Sequence, residues 1–157
     1  MKWITRKNIM VDRVACSWLI RRFLDVDAQF LFVEEKNLLD SAAAEAATPF
    51  DAPRLPKIRL NHRGHRCTFE ALLEDYHLSC FALAQLALIV RAADVRGQES
   101  VAAEGSGLRA LAEGFAALGF TDEERLVKLF PIYDALYEYC RTRKRGQPLS
   151  IPWYGLT

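Results

Sequence analysis

Apolar positions follow two regimes along this chain. Through the first half they come in short runs broken by polar residues. Residues 2–6 (KWITR) read as a short strand. Residues 28–35 (AQFLFVEE), rich in aromatic and β-branched side chains, read as a buried strand. Between them Val11, Val14, Ala15 and Trp18 fall at helical spacing, which predicts a helix over residues 13–24 with Asp12 as its N-cap. Residues 36–47 are helical by propensity. Residues 48–56 (TPFDAPRLP) read as a proline-punctuated loop and residues 57–62 (KIRLNH) as another short strand.

The second half keeps to helical spacing. After Thr68, the expected N-cap, Phe69, Leu72, Leu73 and Tyr76 make an apolar stripe. Ser79 is placed to cap a nearly all-apolar helix that Gly97 ends. Residues 105–119 put Leu108, Leu111, Ala112, Phe115 and Leu118 on one face. Thr121 and Glu124 then form a capping box for a long helix that Pro131 is expected to kink. A basic, irregular tail follows over residues 141–157. Strands confined to the first half and helices throughout predict an α+β fold: one mostly helical domain over residues 1–157 with a small N-terminal sheet.

Composition narrows the function classes. With 157 residues, 51% of them hydrophobic and a formal net charge of +1, the chain can bury a core and lacks the basic excess that phosphate backbones select. Residues 2–13 have no signal-peptide core, and the most apolar stretch, residues 80–95, is too short and too polar for a membrane span. Four cysteines without a CxxC pair point to reduced thiols and a cytoplasmic location.

The chemically dense stretch is NHRGHRCTFE, residues 61–70. His62 and Glu70 are suited to a divalent first-row metal, but the same residues also describe a turn histidine and an acid that complements a helix N-terminus. Glu70, Glu74 and His77 share one helix face without the second copy that a di-iron site requires, which makes that face a solvated one. Asp94 stands at the end of the apolar helix, where the dipole disfavours an anion, so it calls for a cation: Arg91 one turn earlier, a metal or another arginine. Arg13 and Arg21, at i and i+8, are candidates for clamping an oxyanion or for pairing with surface acids. Cys16, beside arginines, is either a reactive thiol or a small core residue.

Three segments together resemble a known family. Residues 2–33, with the string DRVACSWLIRRF, residues 48–53 with residues 61–78 and 86–95, and residues 132–141 are similar, in that order, to the C-terminal domain of the chromate-resistance protein ChrB. By motif the matching positions are Asp12, Arg13, Cys16, Trp18, Arg21, His62, Gly64, Cys67, Glu70, Arg91 and Asp94. The resemblance implies a role in bacterial chromate resistance. Longer members carry a region ahead of the first strand, and a DNA-binding role located there is not expected of a chain that starts at that strand.

Pattern and resemblance combine into definite expectations. His62, Glu70 and Asp94, with Asp12 in reserve, are to converge on a Zn, Mn or Fe ion. Arg13 and Arg21 are to face that pocket, ahead of Arg63 and Arg66, with Arg91 pairing Asp94. Cys16 and Cys67 are to be the accessible, more acidic thiols, if thiol redox chemistry occurs. The leading function is a domain that senses or handles chromate through a metal or oxyanion pocket. The alternatives are a metal-dependent or thiol-assisted reductase and a DNA-binding regulator. No nucleotide cofactor, nucleic acid or membrane is expected as a partner of this domain, and self-association into a homo-oligomer stays open.

Overall fold

The computed structural model describes residues 1–143. Its first strand, β1 (Lys2–Arg6), lies at the centre of a three-stranded parallel sheet of order β2–β1–β3, flanked by β2 (Gln29–Val33) and β3 (Thr48–Pro49). Parallel neighbours require crossovers. The first runs through α1 (Val11–Leu19) and the second through α2 (Leu38–Glu45). Alternation along β1 serves the two faces: Trp3 joins the main core, while Ile4 packs with Ala42 and Ala47 at α2.

The other helices are α3 (Thr68–Asp75), α4 (Phe81–Asp94), α5 (Gly105–Ala117) and α6 (Asp122–Thr142). Every residue of α1 except Arg13 is buried, because α3, α4 and α6 all pack around it. From α6, the Asp122 carboxylate accepts the amides of Asn8 and Ile9, both at 2.8 Å, and Tyr133 donates to Val11 O at 2.8 Å. These bonds fix the β1–α1 turn. No helix among the described residues is long and apolar enough to cross a membrane.

The α+β class agrees with the pattern, and so does the Thr121–Glu124 capping box, with Glu124 N 3.2 Å from Thr121 Oγ1. Several local expectations are corrected. Strand β2 is a half-buried edge, because only β1 pairs with it. Thr48–Pro49, expected as loop, is the third strand; proline is tolerated there because it lies at an edge. Residues 57–62 form no strand beyond a bridge from Leu60 to Phe50. Helix α1 starts before Asp12 with Met10 at its N-cap, α3 is capped from Cys67, and α4 follows Cys80 and ends ahead of Gly97. On α5, Leu108 and Ala112 face inward while Leu111 and Leu118 are exposed. The irregular tail lies, from residue 144 on, outside the described residues.

Candidate metal centre

The carboxyl ends of β1 and β3 open toward one place. Because β1 connects to β2 on one side and pairs with β3 on the other, the chain diverges there, and such divergence points form crevices in parallel sheets. Arg6 ends β1, Asp12 and Arg13 begin α1, and Asp51 follows β3. The loop after β3 returns alongside itself, with Asp51 N donating to Leu60 O at 2.9 Å, which sets His62 beside Asp51. Asn61 Nδ2 holds that return by donating to Ala52 O at 2.9 Å. Asp94 arrives from the end of α4.

His62 Nε2 faces three carboxylates, at 3.1 Å from Asp12 Oδ2, 3.4 Å from Asp51 Oδ1 and 3.7 Å from Asp94 Oδ2. One ligand atom each from Asp12, His62 and Asp94 lies within 4.8 Å of the others. Asp12 is 1% exposed, and its two oxygens also accept the α3 amides of Thr68 (2.7 Å) and Phe69 (3.0 Å). A helix N-terminus stabilises that charge. Asp51 accepts Thr68 Oγ1 at 2.8 Å and holds a positive φ of 48°, a conformation aspartate tolerates better than most residues. Such outliers collect at functional sites.

The crowding sets the protonation states. Hydrogen bonds to Asp12 and Asp51, together with their charges, outweigh burial and raise His62 to about 10. Burial, with Asp12 and Asp51 close by, pushes Asp94 up to about 7. At Asp51 burial acts upward, but the bonds from His62 and Thr68 and the charge of Arg13 prevail and hold the carboxyl below its ordinary value. A cation is in demand here. The proton on His62 supplies it.

Against the sequence expectations, His62 and Asp94 do converge and the reserve residue Asp12 joins them, but Glu70 does not. Glu70 Oε2 accepts the amide of Cys67 (2.9 Å) and the Arg91 Nε (3.0 Å), and a second Arg91 nitrogen donates to Oε1. It serves as a capping-box acid closed by its own arginine. Arg91 therefore pairs Glu70 and not Asp94. Arg13 lines the cavity, whereas Arg21 donates to Ala28 O and lies over the Phe30 ring. The i, i+8 alignment fails because the helix widens into a π turn over Ile20–Leu24, where Asp25 N reaches back to Ile20 O. Arg63 and Arg66 pair with Asp75 and Glu74 outside the cavity. Cys16 and Cys67 are fully buried, and burial with nearby Asp12 raises both thiols, so neither is accessible or acidic. Arg6 and Asp51 went unrecognised. A charged residue at the carboxyl end of a strand, and a lone acid inside TPFDAP, were the available signals.

Comparison with known proteins bears on residues 3–140, which match the family model described as "ChrB, C-terminal domain". The chain is 35% identical over 146 residues to Protein ChrB of Cupriavidus metallidurans strain CH34, an overlap that spans 92% of this chain and 42% of that protein. No solved structure matches.

Proposed function

The chain belongs to the family of ChrB C-terminal domains, and from that membership and the site's geometry we propose that it is a cytoplasmic chromate-resistance domain that holds a divalent transition-metal ion at Asp12, His62 and Asp94. The observation that carries this reading is the convergence of an imidazole and two carboxylates from three separate elements. Bonds of about 2.1 Å to a shared ion place cis ligand atoms about 3.0 Å apart at a right angle and about 3.4 Å apart at a tetrahedral one. The 3.1 Å separation of His62 Nε2 from Asp12 falls within that range, and the 3.7 Å separation from Asp94 lies just beyond its upper end. An N,O,O donor set suits Zn, Mn or Fe and leaves coordination positions open for water or a small ligand. Asp51, tied to Thr68 and 3.4 Å from the same His62 nitrogen, stands at the edge of the ligand set as a third carboxylate.

Binding comes ahead of thiol-assisted reduction because the two thiols nearest the site are buried and protonated. A metal-dependent enzyme is the second reading, favoured by the open coordination positions. Elemental analysis and calorimetric titration with Zn(II) and Mn(II) test the proposal. We expect one ion per chain, with affinity reduced at least about a hundredfold in His62→Ala and Asp94→Asn. Wild-type protein that binds neither ion, or variants that bind as well as wild type, would overturn it. A chromate turnover assay on the metal-loaded protein separates the binding reading from the enzymatic one.

A further inference from the structure

We propose that Arg6 and Arg13 form the anion-binding half of the same cavity, so that the metal-loaded site takes a small inorganic oxyanion and the metal-free site does not. This rests on the metal reading above and names the class of ligand that completes it. Arg6, Arg13, Asp12, Asp51, His62 and Asp94 enclose a cavity of about 100 Å³, with Met10 and Pro53 as its apolar walls. That volume admits an ion of a few heavy atoms and excludes a nucleotide or a peptide.

The two guanidinium groups keep unused donor capacity. Two other arginines are closed by a carboxylate in a fork: Arg22 reaches both oxygens of Asp134 at 2.9 and 2.8 Å, and Arg91 both oxygens of Glu70, while Arg21, whose Nε is also buried without an acceptor, lies away from the cavity. Arg6 and Arg13 are not closed in this way. Arg6 Nε donates to the Asp51 backbone carbonyl at 3.2 Å, and its nearest carboxylate oxygens are 3.7 Å away on Glu35 and 4.0 Å away on Asp51. Arg13 Nη2 donates to Asn8 O at 3.0 Å. Its Nε–H is buried without an acceptor, 3.9 Å from Asp51 Oδ2. A buried, unpaired guanidinium N–H is costly to leave unsatisfied, and a planar fork is the group best matched to an oxyanion. The like charge of Arg13 also opposes that of Arg6, which an anion between them would relieve.

Metal must come first because three carboxylates face the same space. Together they offset the charges of Arg6, Arg13 and the protonated His62, so a free anion gains little there. A divalent ion held among them would supply two positive charges, and Arg6 and Arg13 line the same cavity, so an anion there would be held by metal and fork together. Binding of the two is then reciprocal: each raises the affinity of the other by the same factor.

The test measures Mn(II) affinity of the full chain at constant pH and ionic strength, in sulfate, phosphate, nitrate or chloride, with correction for ion pairing in the buffer. Sulfate is a redox-inert tetrahedral probe and chloride the reference. We expect sulfate or phosphate to tighten Mn(II) binding at least about fivefold over chloride, within the usual range of coupling between sites. In Arg6→Lys and Arg13→Lys the enhancement, taken relative to each variant's own affinity in chloride, should fall below about twofold. Arg21→Lys, distant from the cavity, should behave as wild type. If Mn(II) binds but no oxyanion tightens it, the anion half is refuted and the metal site stands. The anion half is equally refuted if the enhancement survives in both cavity variants. If Mn(II) does not bind at all, both readings fall together.

Discussion

Asp12 and Glu70 both bring a buried carboxylate to the first turn of α3, and they end in opposite situations. Asp12 accepts the amides of Thr68 and Phe69, and Glu70 accepts that of Cys67. As helix caps they are alike. Glu70 is then met by Arg91 through two nitrogens, and its charge is closed. Asp12 instead meets His62, which is shared with Asp51 and Asp94. One cluster has a dedicated cation for its acid, while the other gathers carboxylates around a single imidazole. What separates a structural ion pair from a candidate site is the donor capacity left over after the fold has used what it needs.

The sharpest way to break this comparison is to remove each carboxylate's support in turn. Asp12→Ala strands two buried amides and leaves His62 without its nearest anion. We expect a loss of about 4 kcal/mol in urea unfolding together with loss of metal binding. Arg91→Met leaves the buried Glu70 with only Arg66, 3.8 Å away, at a cost of about 3 kcal/mol, with metal affinity unchanged. The contrast is the prediction. If Arg91→Met weakens metal binding as strongly as Asp12→Ala does, the two clusters are one site and the distinction drawn here is wrong.

A smaller effect should appear in the pH dependence. His62, raised to about 10, stabilises the metal-free fold fully below its ordinary value of 6.5, and that contribution is lost as pH rises through about 10. Asp94, raised to about 7, acts in the same direction over a lower window: it favours the fold at low pH, and its contribution falls away between its ordinary value of 3.8 and about 7. A metal must displace both protons. Apparent metal affinity should therefore climb by up to about a hundredfold per pH unit below about pH 7 and about tenfold per unit from there toward pH 10. Competition against a chromophoric chelator measures this, and a flat profile from pH 6 to 9 would exclude a protonated His62 as the resident cation.

How much of this could be read from the chain follows from which physics is local. The capping box at Thr121 and Glu124 depends on four adjacent residues and was legible. Asp94 was legible as an anomaly, because a carboxylate at the wrong end of an apolar helix needs an explanation whatever the fold. Glu70 was misassigned because an N3 acid looks the same whether it caps, binds metal or pairs with an arginine from another helix. The choice of Arg91 between Asp94 and Glu70 depends on how α3 packs on α4, which no periodicity encodes. Arg6 and Asp51 stayed hidden for a related reason: only the crossovers that set β1 beside β3 bring them together. The π turn erased the alignment of Arg21, and no breaker residue announces it.

The mildest prediction concerns the thiols that flank the two carboxylates. Cys16 lies 3.5 Å from Asp12 Oδ1, and Cys67 supplies the amide that Glu70 accepts. Both are shielded from solvent, and both sit in a negative field that opposes ionisation, whereas the thiolate is the form that reacts. Cys140 is also buried and is pushed up to about 11, mainly by burial. Cys80 is half-buried at the groove between α3 and α4. Native-state alkylation followed by mass spectrometry should therefore label Cys80 first, and Cys16 and Cys67 only as the fold opens, more slowly still with metal bound. Cys80→Ser should leave the folded protein almost inert to alkylation, with metal affinity within about twofold of wild type. Labelling of Cys16 or Cys67 ahead of Cys80 in folded protein would mean that the Asp12 cluster opens on its thiol side, and redox chemistry would then compete with metal binding as the use of that cluster.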